Sequence, residues 1–455
     1  MTKAPNRRTW VLIAIGIGSF MSALDGSIVN TILPVLRDTF QSNVAAIEWV
    51  VIVYLLVLSG LLLTFGRLGD LRGHKSIYIW GFVLFIAGSA LCGAARSASM
   101  LIVFRGMQAI GGAMLASNSP ALVTGNFPPE QRGRVFGLVS MMTYLGLTAG
   151  PSLGGWLTQV LGWRSVFYIN VPVGALALGL SLYFIPKDAP AEHDQRFDLP
   201  GALVFMAGLT ALLLGLNMGA EWGWLSAAVL GLLGGALLLL VVFIQVERRS
   251  PAPMLDLSLF GVPLFSTATA SAVLNYICLY SIMFLMPFYL IQGRGLDPAQ
   301  AGLLLTAQPV LMAISAPISG ALSDRFGSRG PGMLGMGVLA LGFLILSTLN
   351  AGSGLWLVAL GLAVCGIGTG TFISPNTSAL MGAAPKARQG IASAVLATAR
   401  NFGMVLGIGL AGAILTTHLA QNSADALYRG VDVGFLVAAG VAALGVGMSA
   451  LKKEG

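Results

Sequence analysis

The sequence predicts an all-α polytopic membrane protein, built as two six-helix bundles with two extra helices inserted between them. Three observations carry that reading: scarce charge, apolar runs of bilayer length, and an internal repeat. Only 9% of the 455 residues are charged, against about 25% in an ordinary soluble domain, so a water-facing surface cannot be built. Hydrophobic residues make up 56%, and a spanning helix takes about 20 mainly apolar residues. A globular enzyme with a single anchor is excluded. So is an outer-membrane barrel, whose strands alternate apolar and polar over about ten residues, whereas the apolar runs here are about twice that length.

Hydropathy gives fourteen candidate spans, at 11–35, 46–66, 76–95, 99–124, 135–160, 164–186, 199–218, 223–246, 265–292, 299–323, 332–350, 354–382, 390–417 and 431–451. With the N-terminus inside, five basic residues fall outside: Arg37, Arg96, Arg164, Arg294 and Arg429. Arg105 and Arg400 lie within spans, and the other 18 of the 25 Lys and Arg face the cytoplasm. That asymmetry follows the positive-inside rule and accounts for the net charge of +8 without nucleic acid as a partner. An even span count puts both termini inside. The first apolar stretch follows Lys3, Arg7 and Arg8 but is too long for a signal peptide and is interrupted by Asp25. Cys92, Cys278 and Cys365 lie in separate spans without metal-ligand spacing and are read as packing residues.

Compared with itself at an offset near 254, the chain brings several marks into register. Asp70 answers Asp324, Pro34 answers Pro287, Pro120 answers Pro375, and the glycines 403, 407 and 409 fall opposite the Gly150 region. The repeat pairs spans one to six with nine to fourteen and isolates seven and eight. The predicted domains are therefore an N-terminal six-helix bundle (1–190), an inserted helix pair (191–250) and a C-terminal six-helix bundle (251–455). Two parallel six-helix repeats form one large class of secondary transporters, with the substrate site between the halves. The inserted pair carries Asp198 and Glu221 and is read as peripheral.

No phosphate-binding loop occurs, so ATP is not the expected energy source. Gly366, Gly368 and Gly370 suit close helix packing better than a nucleotide. His74, His193 and His418 lack metal-ligand spacing. Neither cofactor nor metal is expected, and no enzyme activity. Ionisable groups within spans are costly and functional by default; Asp25, Arg105 and Arg400 stand out. At about 1.5 Å per residue, Asp25 lies about 22 Å from the cytoplasmic start of its span and Arg105 about 9 Å from the outer start of its own, so the two can share a water-filled cavity. Burial disfavours the carboxylate and a neighbouring guanidinium favours it, opposed effects that suit proton exchange; a fixed structural pair is the alternative. The repeat puts Leu279 and Ala359 opposite these two, and Gly146 opposite Arg400, which has no evident acidic mate and serves either helix packing or transport. Glu48 reads as a rim carboxylate.

Asn30, Tyr54, Gln108, Asn118, Asn275, Tyr276, Gln308 and Asn376 are candidate substrate-binding residues or interhelical hydrogen-bonding residues. The loop Gly66 to Lys75, with Gly66, Asp70, Arg72 and Gly73, is either a charge latch or a topogenic basic loop. In the fifth span Gly146, Gly150, Pro151, Gly154 and Gly155 form a nearly bare face, with Pro151 removing a backbone donor.

These residues resemble the major facilitator superfamily, in particular its fourteen-span drug:proton antiporters. Gly66 to Lys75 is similar to the loop signature between spans two and three. Leu101 to Ala113, with Arg105, Gln108 and Gly111, is similar to the fourth-span signature, with Ala109 where glycine is usual. GLTAGPSLGGWL, from Gly146 to Leu157, resembles the antiporter signature, and LDGSIVNTILP, from Leu24 to Pro34, that of the fourteen-span exporters. Trp163, Arg164, Asn170, Pro172 and Gly174 also resemble that branch. The resemblance implies the major facilitator fold and proton-driven, multi-pass export of lipophilic, cationic or neutral compounds across a bacterial cytoplasmic membrane by a monomer. It also implies that Asp25 and Arg105 couple protons, that Asp70 and Arg72 gate, and that Gly150 and Pro151 belong to the antiport helix. A further acid, deep in the C-terminal half of several members, has no counterpart expected here, which argues against divalent-cation export and against more than one proton per cycle. A lipid or metabolite transporter, or a membrane sensor that has lost transport, is the alternative.

Overall fold

A computed structural model describes residues 7–42, 44–187, 198–223, 225–250, 255, 257–419 and 425–452. Lys3, His193, Arg196, Lys453 and the side chains of Glu48 and Glu221 lie outside the described residues, and no placement is assigned to them. Sixteen α-helices follow one another: α1 Arg7–Phe40, α2 Val44–Arg72, α3 His74–Ala94, α4 Ala98–Asn126, α5 Pro129–Leu161, α6 Ser165–Tyr168, α7 Asn170–Phe184, α8 Leu199–Trp222, α9 Ala227–Arg249, α10 Pro263–Pro287, α11 Pro298–Leu305, α12 Ala307–Phe326, α13 Arg329–Ser347, α14 Leu355–Ala383, α15 Gln389–Leu419 and α16 Ala426–Ala450. The long helices reflect the apolar composition: in lipid a backbone must satisfy its own hydrogen bonds, which a helix does within the segment.

Among the described residues, twelve helical segments are long and apolar enough to cross a membrane, so the expected count of fourteen is not reached. The shortfall at α5 has a physical cause. α5 is 33 residues long but opens on Glu130, Arg132 and Arg134 and is rich in glycine, serine and threonine, which dilutes its hydropathy. In α8 the apolar run among the described residues, Leu199–Gly215, is too short to be counted.

The chain divides into two compact units. One comprises Met1–Pro128, Met142–Leu259 and Ala384–Thr398; the other comprises Pro129–Met141, Phe260–Ala383 and Ala399–Gly455. The first turns of α5 therefore group with the second unit, and the first turns of α15 with the first.

Inside each unit, glycines set how closely helices approach, and they do so in matched places. A Cβ on Gly88 would strike the Gln108 backbone, and one on Gly342 the Cys365 backbone; Gly81 faces Gly111 as Gly335 faces Gly368. Gly146 lies against Phe20 and Ala23 as Gly403 lies against Val273 and Tyr276. These matches fix the repeat register at 253 for α1 with α10, 254 for α2 and α3 with α12 and α13, and 257 for α4 and α5 with α14 and α15. The uniform offset of the sequence reading is corrected accordingly: Asp25 is matched by Cys278, Arg105 by Leu362 and Arg400 by Thr143. Pro120 and Pro375 keep their order but miss true equivalence by two residues. Gly366, Gly368 and Gly370 each meet neighbouring backbone closely, at Gln308, Leu339 and Met312, as packing residues do. Cys92, Cys278 and Cys365 are free and buried.

The inserted pair belongs to the first unit, with α8 packed on α2 and α9 packed on α8. Gly60 of α2 faces Met206, Asp198 caps α8 by accepting from the Gly201 N–H at 2.9 Å, and Glu247 accepts from the Leu255 N–H at 2.9 Å.

Candidate functional site

The residues that chemistry would single out collect in three places. The first is a sealed carboxylate in the first unit. Gly88 and Gly111 let α3 and α4 approach, while the Ser97 hydroxyl, accepting from the Met100 N–H, caps α4. Arg105 and Gln108, one turn apart on α4, then point at Asp25 of α1. Arg105 Nη1 donates to Asp25 Oδ2 at 2.7 Å and to Gln108 Oε1 at 2.7 Å. Gln108 Nε2 donates to Asp25 Oδ1 at 2.9 Å, and Asn170 Nδ2, at the start of α7, reaches the same oxygen at 2.8 Å. Gln108 also donates to Ser89 Oγ at 2.7 Å, and Arg105 Nε to the Val50 carbonyl at 3.2 Å. The Tyr54 ring covers the guanidinium, 4.2 Å from its centroid.

Asp25 is 0% exposed and Arg105 1%. The expected water-filled cavity around the pair is corrected: protein encloses it, with Leu24, Ile28, Val50, Cys92 and Phe167 in the surrounding apolar cluster. Both carboxylate oxygens accept hydrogen bonds, one of them charge-assisted. Asn170 and Ser89 complete the site. Sequence reasoning placed Asn170 only within a resemblance and passed over Ser89, because small polar residues are ordinary in spans.

The second place is a matched pair of helix-end latches. Asp70, at the end of α2, accepts from the backbone N–H groups of Gly390 and Ile391 in the first turn of α15, at 2.8 and 3.1 Å. Asp324, at the end of α12, accepts from Gly133 and Arg134 in the first turns of α5, at 2.7 and 2.8 Å. Unsatisfied N–H groups and the helix dipole make such a terminus an anion site. Close approach requires glycine on both sides: a Cβ on Gly66 or Gly390 would strike the carbonyl of the other, and Gly320 and Gly133 stand in the same relation. Gly73, at φ 92°, occupies the left-handed region between α2 and α3. His74 Nε2 lies 3.4 Å from Asp70 Oδ1, and its Nδ1 lies 2.8 Å from Asn118 Oδ1. Backbone amides and His74 engage Asp70, and Arg72 is exposed. Lys75 donates to the Leu182 and Ile185 carbonyls at the end of α7.

In α5 the bare face is narrower than expected. Gly146, Gly150 and Gly154, four residues apart, press on Phe20, Ser27 and Ile28 of α1, whereas Gly155 has open space around it and Pro151 is exposed.

The third place is in the second unit. Arg400 of α15 lies within electrostatic reach of Tyr276 and Tyr280 of α10. The expectation that the spans after 265 carry no acid is corrected: Asp432 stands in the second turn of α16.

The eight candidate substrate residues do not form one cluster. Gln108 and Tyr54 belong to the Asp25 site. Asn118 belongs to the latch, where it donates to the Phe65 and Met114 carbonyls. Asn376 accepts from the fully buried Lys452 at 2.8 Å and donates to the Ala268 carbonyl. Asn275 donates to Met336 Sδ at 3.5 Å, Gln308 is buried against α14, and Asn30 is exposed and bonded to the Gly26 carbonyl. Tyr276 stands beside Arg400, an intramembrane charge that has no acidic partner among the described residues. No cluster of metal-ligating residues occurs among the described residues.

The family profile "Major Facilitator Superfamily" matches residues 15–270, 199–407 and 268–454. The chain is 34% identical to the riboflavin transporter RibZ of Clostridioides difficile over 417 residues, 91% of this chain and 90% of that protein. It is 35% identical to the multidrug resistance protein Stp of Mycobacterium tuberculosis over 421 residues, 92% of this chain and 78% of Stp. Its fold is similar to that of the human organic anion transporter MFSD10, with TM-score 0.69 at 16% identity, covering 98% of this chain and all of that one.

Proposed function

Because the chain belongs to the Major Facilitator Superfamily, we propose that it is a proton-coupled exporter of lipophilic compounds working by alternating access, with Asp25 as the proton carrier. The observation that carries this reading is the buried carboxylate of Asp25 with Arg105, Gln108 and Asn170 gathered on its two oxygens. An isolated ionised group so deep would be neutralised by taking up a proton, so displacing the three donors during the cycle would let the carboxyl load. Asp25 loads from outside as substrate leaves, and it discharges inside as substrate binds again. One proton crossing about 100 mV supplies about 2.3 kcal/mol, and each pH unit adds about 1.4 kcal/mol. One-for-one export of a neutral compound is then limited to a gradient of a few hundredfold.

In this account α5 and α8 also cross the bilayer, completing fourteen spans with both termini cytoplasmic, in a bacterial inner membrane. Asp70 and Asp324 are the gating residues, because each holds the first turn of a helix whose later turns belong to the other unit. The similarity to Stp supports multidrug export. The similarity to RibZ favours one second reading, a metabolite transporter on the same fold.

The test is dye efflux from everted vesicles with an imposed pH gradient as the sole drive. Wild type exchanges a lipophilic dye for protons and Asp25→Asn does not. Equal efflux by both overturns the assignment of Asp25, and movement of riboflavin but of no drug-like dye favours the second reading.

A further inference from the structure

Arg400 has no role in the Asp25 site or the latches, yet it is a permanent charge within an apolar helix. It lies about 17 Å from the start of α15 at about 1.5 Å per residue. α10 runs alongside in the same direction, since Gly403 meets Val273 and Tyr276, Gly407 meets Ile277 and Gly412 meets Phe284. Tyr276 and Tyr280 flank the midpoint of the apolar span Pro263–Gly293, and Arg400 lies close to the midpoint of the span Lys386–Leu419, so all three stand near the middle of their spans. Tyr276 and Tyr280, four residues apart, share one face of α10, and Gly403, one turn beyond Arg400, keeps α15 close to that face.

An intramembrane arginine ordinarily pairs with an acid or with backbone carbonyls. Among the described residues Arg400 forms neither kind of bond, its guanidinium stacks over no ring, and both tyrosine hydroxyls are likewise without an internal hydrogen bond. All three side chains are half-buried rather than enclosed. Three donors without an internal acceptor among the described residues, on two packed helices, are what an anion subsite requires. A guanidinium presents a planar fork matched to carboxylate-like oxygens, and two phenols add O–H donors.

We propose that Arg400, with Tyr276 and Tyr280, binds an acidic group of the substrate, so that the preferred cargo is an amphiphilic anion, a carboxylate or sulfonate on an apolar body, rather than a cation. The direction of transport, but not the binding, rests on the exporter reading above. Exchange of a monovalent anion for an entering proton moves two charges per cycle, against one for a neutral compound, so an imposed membrane potential speeds anion export more.

The test uses two dyes that differ by one group, anilinonaphthalene sulfonate and its uncharged parent anilinonaphthalene, on wild type, Arg400→Met, Arg400→Lys and Tyr276→Phe. Binding is read by fluorescence on purified full-length protein, and transport in proteoliposomes. The expected result is that the sulfonate-to-parent affinity ratio falls at least tenfold in Arg400→Met, is largely rescued in Arg400→Lys and falls several-fold in Tyr276→Phe. An unchanged ratio in a folded Arg400→Met, or a wild type that binds no sulfonate, overturns the proposal. If the ratio falls as expected while no dye is transported, the anion subsite stands and the exporter reading fails. If wild type exports the parent but does not bind the sulfonate, the exporter reading stands and the subsite fails.

Discussion

Replacing Arg105 by methionine keeps the bulk of the side chain but removes the charge that faces Asp25, leaving a carboxylate enclosed by protein with Gln108 and Asn170 as its remaining donors. Breaking a buried pair from one side costs about 3–5 kcal/mol. The carboxyl escapes by taking up a proton, and for an ordinary aspartate titrating near 3.9 that costs about 4 kcal/mol at pH 7, at about 1.4 kcal/mol per pH unit. The loss is therefore capped near 4 kcal/mol and shrinks on acidification. The sign follows from linkage: folded Arg105→Met holds a proton that its unfolded chain has lost at pH 7, so its stability falls as pH rises. Adding Asp25→Asn removes the stranded charge, and the double variant recovers at least about 2 kcal/mol, since breaking a close pair is non-additive. Apparent melting temperature in detergent, at pH 5 and pH 7, is the assay. The account predicts a large drop for Arg105→Met at pH 7, a smaller one at pH 5, and recovery in the double variant. A drop independent of pH and not relieved by Asp25→Asn refutes the reasoning.

Three further outcomes follow from the geometry. Asp70→Asn and Asp324→Asn each weaken two hydrogen bonds to a charged acceptor, worth about 1.5–3 kcal/mol apiece, so amide exchange is at least tenfold faster around Gly390 and Ile391 in the first variant and around Gly133 and Arg134 in the second, each without the other. Gly66→Ala sets a Cβ against the Gly390 carbonyl and lowers the yield of folded protein, whereas Gly155→Ala, with open space around it, does not; size-exclusion recovery checks both. Asn170→Ala removes one donor from Asp25 and slows dye accumulation driven by a pH gradient several-fold; an unchanged rate shows that Asn170 does not position the carboxylate.

Much of this architecture was legible in the sequence, because a bilayer permits few choices: a run of apolar residues long enough to span it must be helical. α5 was harder, since it spends its hydropathy on glycines that press against α1. The repeat was visible through Asp70 and Asp324, but its offset drifts from 253 to 257 as connections differ in length, which misassigned the partners of Asp25, Arg105 and Arg400. Asp25 and Arg105 stood out because charge within a span is rare. The uncharged candidates did not separate, because a mid-span Asn or Gln gives no sign of which way it faces. Asn376 turns to Lys452, Asn118 to the Asp70 latch, and only Tyr276 toward Arg400. Asn170 was hidden for the same reason, at a helix start whose approach to α1 sequence spacing does not convey.

The central claim is that Asp25 couples substrate movement to a proton rather than merely bracing α1 against α4. The most direct measurement is a pair of transport modes in proteoliposomes containing Asp25→Asn: accumulation of dye driven by a pH gradient, and exchange of labelled for unlabelled dye with no gradient. The account predicts that accumulation is lost while exchange persists near the wild-type rate, because the binding path is intact and only the proton step is gone. Accumulation retained at the wild-type level would contradict it.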